Sequence, residues 1–162
     1  MRKITFFLMI TLIAFIMACN KDKVIEEPKP IIEDGAYFGL MIVNENTPAE
    51  FKDSVKITVE IIDNETLTME LSEVRFAERM PAMNITVKGI DIVEVRNDYL
   101  LSGDKIIPFA MIAGKLEPFE NFIITDMTGT LTALTLEFSM KCGDYPVKYS
   151  GKMTTVVNSL QK

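Results

Sequence analysis

From Gly35 onward the apolar residues of this chain recur at every second position. Val55, Ile57, Val59 and Ile61 alternate with Lys56, Thr58 and Glu60; Leu67, Met69 and Leu71 alternate with Thr66, Thr68, Glu70 and Ser72. A period of two puts successive side chains on opposite faces, so each run reads as a strand with one buried face. The pattern recurs in Ile85 and Val87 around Thr86 and in Ile90 and Ile92 around Asp91. It appears again in Leu134, Leu136, Phe138 and Met140 set against Thr135, Glu137, Ser139 and Lys141. No stretch of this part sustains a helical period. At Ile92-Val93 the apolar phase slips, because Val93 and Val95 take up the alternation, and one extra residue at a bulge accounts for it. Asp63-Asn64-Glu65, Asn97-Asp98, Ser102-Gly103-Asp104 and Cys142-Gly143-Asp144 mark turns.

Counting runs predicts strands over Ala36–Val43, Val55–Ile62, Thr66–Arg75, Asn84–Val95, Tyr99–Leu101, Lys105–Ile112, Phe122–Met127, Thr130–Lys141 and Tyr145–Met153. Links this short imply that consecutive strands pair antiparallel. A meander with one apolar face must close into a barrel or fold into a sandwich, and closure removes the edges that invite aggregation. The expected fold is therefore all-β: an antiparallel meander of about eight or nine strands closed into a barrel.

Ahead of the strands, Arg2 and Lys3 precede a run from Ile4 to Ala18 that is apolar except at Thr5 and Thr11. A spanning helix needs about 20 residues, which this run does not reach, and it reads as a secretory signal. Its closing residues, Ile16-Met17-Ala18-Cys19, resemble the lipobox of bacterial lipoproteins. That resemblance implies cleavage before Cys19 and acylation of Cys19, hence an outer-membrane lipoprotein of the bacterial cell envelope. Asn20 to Glu33 mixes Lys with Asp and Glu around Pro28 and Pro30, the composition of an extended tether. The organisation expected is a signal at 1–18, an acylated N-terminus and tether at 19–34, a barrel at 35–156 and a tail at 157–162. Charges following the acylated cysteine are similar in part to the surface-export signals of Bacteroidetes-type lipoproteins, so periplasmic and surface display both stay open.

Charge and composition exclude several functions. The chain has 17 Lys+Arg against 23 Asp+Glu, and no histidine. Without histidine there is no Ser-His-Asp triad, no Cys-His dyad and no imidazole metal site. An acidic chain lacks the electrostatic footprint of a nucleic-acid binder. With Cys19 assigned to lipid, Cys142 has no disulfide partner and reads as a small packing residue; the domain must rely on its core. Glu117 and Glu120 flank Pro118-Phe119 as a solvated loop rather than an acid/base pair, because nothing nearby desolvates them. Asp63, Asn64 and Glu65 lack the spaced ligands of a calcium loop and read as a turn. No enzyme, metal or cofactor is expected.

Four segments then point to a family: Gly35-Ala36-Tyr37-Phe38-Gly39, Met80-Pro81-Ala82-Met83-Asn84-Ile85-Thr86, Met127-Thr128-Gly129-Thr130-Leu131 and Pro146-Val147-Lys148-Tyr149-Ser150-Gly151. In their order and spacing they resemble the calycin-like lipoproteins of Bacteroidetes-type bacteria. The resemblance implies an eight-stranded lipocalin-type barrel with no established activity. The second segment departs from the family pattern, which favours Gly around Met-Pro where this chain has Glu78-Arg79 and Ala82.

Two functions follow from a small barrel. Its interior can hold one apolar small molecule. The inferred inward phase assigns that lining to Phe38, Leu40, Val59, Ile61, Met69, Leu71, Ile85, Val87, Phe109, Phe138 and Met140. Alternatively the same residues fill the core, and the chain is a structural or interaction lipoprotein that meets a protein partner through Asn44–Lys52 and Lys115–Asn121. Separately, Asp53-Ser54-Val55 is similar to the short Asp-Ser/Thr-apolar sequon for O-glycosylation in the same bacteria, with Ser54 as the acceptor.

Overall fold

A computed structural model describes residues 34–154. Cys19, the apolar run before it, the tether as far as Glu33 and the tail at 157–162 lie outside the described residues. Ten strands form one antiparallel sheet: β1 (Gly35–Val43), β2 (Phe51–Ile61), β3 (Thr66–Val74), β4 (Met83–Val95), β5 (Asp98–Gly103), β6 (Phe109–Ile112), β7 (Lys115–Pro118), β8 (Ile124–Leu131), β9 (Thr135–Cys142) and β10 (Tyr145–Met153). Each of β1–β5 and β8–β10 pairs with its neighbours in that order. The β1–β10 and β3–β4 pairings complete the ring, giving a closed eight-stranded barrel with two extra strands. The extra pair, β6–β7, is a hairpin attached to β4 through Ile85↔Ala110 and Thr86↔Phe109.

Alternating strand direction puts both ends of the described chain at one pole. There Ile61 N–H donates to Asp34 Oδ1 at 2.8 Å and Thr154 N–H to Ala36 O at 2.7 Å. The links at 44–50, 75–82 and 143–144 lie at the opposite pole. That pole is sealed by stacked rings: Phe76, fully buried, lies 5.5 Å from Phe122 and 6.0 Å from Tyr145, and Phe119 stacks on Phe122 at 4.3 Å.

Three bulges bend the strands, as closure requires. The first lies between Leu67↔Ile90 and Met69↔Val87, where β4 advances one residue more than β3. The extra residue falls at Lys88-Gly89, and Gly89 takes φ +70 with nothing within 4 Å of its missing Cβ. This corrects the slip expected at Ile92-Val93. The inward phase is odd through Val87 and even from Ile90, and Val93 and Val95 simply face out. The second lies between Leu71↔Ile85 and Val74↔Met83, where Glu73 has φ 54 and its N–H donates to Asn84 Oδ1 at 2.9 Å. At the third, Asp126 has φ 54 beside Lys141 on β9, their charged groups 3.2 Å apart.

Two expected strands are also corrected. The run over Thr130–Lys141 breaks at Thr132, whose Oγ1 accepts the N–H groups of Leu134 (3.1 Å) and Thr135 (2.9 Å), and Leu134 is exposed in the turn rather than inward. The run over Lys105–Ile112 keeps strand structure only at its end. Part of the expected loop Lys115–Asn121 is strand β7, reached through a two-residue turn in which Ala113 (φ 49) and Gly114 (φ 80) both take positive φ.

Candidate functional site

The barrel interior is built from inward positions of all eight strands, and the structure brings seven of the expected lining residues together there. Val59, Met69, Leu71, Ile85, Val87, Phe138 and Met140 are all buried. Ile61 is half-buried where β2 ends, packed against the core.

Three residues are not inside. Phe38 and Leu40 face outward and are 56% and 44% exposed. Every residue of β1 around Gly39 is apolar, so alternation alone cannot choose a face; register chooses it. Phe38 lies opposite Lys56 and Lys152, while Tyr37 lies opposite Ile57 and Met153. Residues directly across an antiparallel pair share a face, so Tyr37, Gly39, Met41 and Val43 point inward. Phe109 pairs with Thr86, on the outer face of β4, and Lys88 Nζ sits 5.5 Å from its ring centroid.

What fills the interior is legible at three glycines. Tyr149 reaches across the inner face of its neighbours, and its hydroxyl lies 3.1 Å from Tyr37 O and 3.3 Å from Val55 O, to which it donates. A Cβ added at Gly151 would meet the Tyr149 Oη at 2.3 Å. Gly39 lies opposite Gly151, and a Cβ there would meet Ser150 O at 2.1 Å. Phe138 stacks on Tyr149 with centroids 5.3 Å apart, and a Cβ on Gly129 would meet Phe138 Cβ at 2.7 Å. At Gly151 glycine and the Tyr149 ring thus divide the inner space, while Gly39 and Gly129 are required by the close approach of neighbouring backbone. Large buried side chains such as Met41, Ile57, Leu67 and Ile90 occupy the rest. Among the described residues no buried side-chain N or O lacks a hydrogen-bond partner, so the interior presents no polar group waiting to orient a ligand.

Desolvation sets the titration of the buried groups. It pushes the Cys142 thiol up to about 12 and raises the Tyr149 and Tyr37 phenols. Cys142 Sγ points at Phe122 O, 3.5 Å away, beneath the ring stack, where a thiol is inert.

Four hollows of about 430, 520, 570 and 500 Å³ open on the outer surface. The first runs over outward Leu40, Ile42, Glu137 and Ser150, and the second over Thr58, Thr68, Thr86 and Leu116 of the β6–β7 hairpin. The third lies at the pole opposite the chain ends, between Glu50, Phe51, Arg79 and Tyr145. Ser54 borders the fourth and is exposed in mid-strand; Asp53 Oδ1 accepts the Ser54 N–H, and Asp53 Oδ2 receives two bonds from Arg75.

No protein-family model, curated protein or solved structure matches this chain. Its chemistry must be read from its own residues. Among the described residues no group of three or more Cys, Asp or Glu is placed to hold a metal ion. Asp63 Oδ1 is taken up by the Glu65 N–H (2.8 Å), the Thr66 N–H (2.6 Å) and the Thr66 hydroxyl (3.0 Å). These bonds, that from Glu65 foremost, hold its carboxyl below the ordinary range, and the segment is a turn. Glu117 on β7 and Glu120 in the short 3₁₀ turn Glu120–Phe122 are both exposed.

Proposed function

We propose that this protein is a cell-envelope lipoprotein, anchored through acylated Cys19, whose barrel is a rigid interaction module and not a carrier of a small apolar ligand. The observation that carries the reading is the Tyr149 ring lying in the space left by Gly151, with Phe138 stacked on that ring. A ligand-holding barrel of this size needs its inner positions to leave space. Here they are taken by the chain itself, and the described hollows lie outside.

The anchor rests on Ile16-Met17-Ala18-Cys19 and the apolar run before it. The charged, proline-bearing segment that follows serves as the tether, and the resemblance to calycin-like lipoproteins belongs to the same proposal. Both ends of the described chain leave from one pole, so an anchored barrel presents the opposite pole to a protein partner. That pole carries the 44–50 link and the stacked rings of Phe119, Phe122 and Tyr145. Acyl chains contribute about 0.8 kcal/mol per buried CH₂, and more than one makes attachment stable.

Metabolic labelling with a fatty-acid analogue tests the anchor. The wild type takes up label and fractionates with membranes, and Cys19→Ala takes up none; label retained by the alanine variant overturns the assignment.

A further inference from the structure

Closing the barrel leaves the β6–β7 hairpin outside the ring, and among the described residues β7 pairs with β6 alone. All four residues of β7 are exposed. Which of its backbone groups face the free edge follows from one bond. Phe119 N–H donates to Pro108 O at 2.8 Å, so this pair is hydrogen-bonded. Bonded and non-bonded pairs alternate along an antiparallel ladder. Ala110↔Glu117 and Ile112↔Lys115 are therefore bonded, and Met111↔Leu116 is not. The N–H and C=O of Leu116 point away from β6, and Pro118 has no N–H to offer.

We propose that this edge pairs with the same edge of a second copy of the chain, about a twofold axis through Leu116. Centred there, the Leu116 N–H of each copy donates to the Leu116 carbonyl of the other. Lys115 of each then lies opposite Glu117 of the other, so two ion pairs flank the axis; neither residue has an ion-pair partner among the described residues. On the outer face, Leu116 and its cross-strand neighbour Met111, 44% and 52% exposed, meet their counterparts.

No other register offers this. Centring on Lys115 sets Lys against Lys, and centring on Glu117 sets Glu against Glu while the flanking edge bonds fall to Pro118, which has no N–H. A centre between residues places bonded groups against free ones. A short strand with Lys, Glu and Pro also discourages indiscriminate edge pairing, which leaves the self-complementary register as the favoured contact. The interface is isologous, small, and weak in free solution. It stands independently of lipidation, although anchoring would concentrate copies in one plane.

The test is energy transfer between donor- and acceptor-labelled populations of the full-length protein, tagged at the C-terminus and mixed in non-ionic detergent over rising concentration. Wild type is expected to give saturable transfer. Lys115→Glu alone sets Glu against Glu, and Glu117→Lys alone sets Lys against Lys; each should associate about tenfold more weakly or worse. Mixing the two variants should restore transfer, since every cross-axis pair then joins a Glu to a Lys. Leu116→Pro, which removes the edge N–H and no bond to β6, should abolish it. Thermal melts of these exposed variants should match wild type. Absence of transfer in the wild type, equal transfer in all variants, or no recovery on mixing would each overturn the proposal.

Discussion

The hydroxyl of Tyr149 donates to the backbone oxygen of Tyr37, 3.1 Å away inside the barrel, and the space its ring needs is left by Gly151 two residues further along the same strand. Successive inward positions of β10 are thus a ring and a gap, and the gap is occupied by the ring. The pairing of Gly39 with Gly151 extends the arrangement to β1, where the inward side of the strand is set by its cross-strand partners.

Coupling between ring and glycine is measurable. Gly151→Ala should cost about 1–3 kcal/mol by overpacking against Tyr149. In a Tyr149→Leu background the same change should be nearly neutral, a non-additivity that a double-mutant cycle in urea reads directly. Tyr149→Phe alone should cost about 0.5–1.5 kcal/mol for the lost hydrogen bond.

The two faces of the strands should respond oppositely to charge. Val59→Asp or Leu136→Asp buries an unpaired carboxylate at several kcal/mol against a total stability of about 5–15 kcal/mol, and should unfold the domain. Glu60→Lys and Phe38→Ser, on the outer face, should stay within about 0.5 kcal/mol. Thermal melts of the four variants decide it, and equal losses on both faces would refute the register.

Much of this was legible in the sequence, because alternation is a direct image of a half-buried strand. β2 and β3 announce their inward residues since Lys56, Thr58, Glu60 and Glu70 mark the other side. β1 could not be read this way: Phe38, Leu40 and Ile42 are as apolar as Tyr37, Met41 and Val43, and the partners that choose between them lie far along the chain. The bulge at Gly89 was visible as a change of phase between Val87 and Ile90, but the apolar Val93 and Val95 drew the slip to the wrong place. The β6–β7 hairpin was hidden because Ala113 holds a position that Asn or Gly usually announces. The ring-and-glycine packing needed the cross-strand register, which no local pattern contains.

Alkaline pH should weaken the fold. The unfolded Cys142 thiol ionises near 9.0, and burial moves the folded value to about 12. Between these values the unfolded chain has lost a proton that the folded chain keeps, so stability falls as pH rises, by at most about 1.4 kcal/mol per pH unit from this group. Tyr37 and Tyr149, also raised by burial, add to the loss above about 10. Urea unfolding from pH 8 to 11 (roughly this window) should show the decline, and Cys142→Ala should remove its first part. In the native protein Cys142 should resist alkylation until the barrel unfolds.

Whether the interior is occupied by the chain's own side chains is tested most directly by titrating the protein with a polarity-sensitive dye and with fatty acids, on the wild type and on Met69→Phe and Val87→Phe. A filled barrel predicts no saturable interior binding in the wild type and a loss of about 1–3 kcal/mol in each enlarged variant. Saturable one-to-one binding that either enlargement abolishes, at no cost in stability, would contradict it.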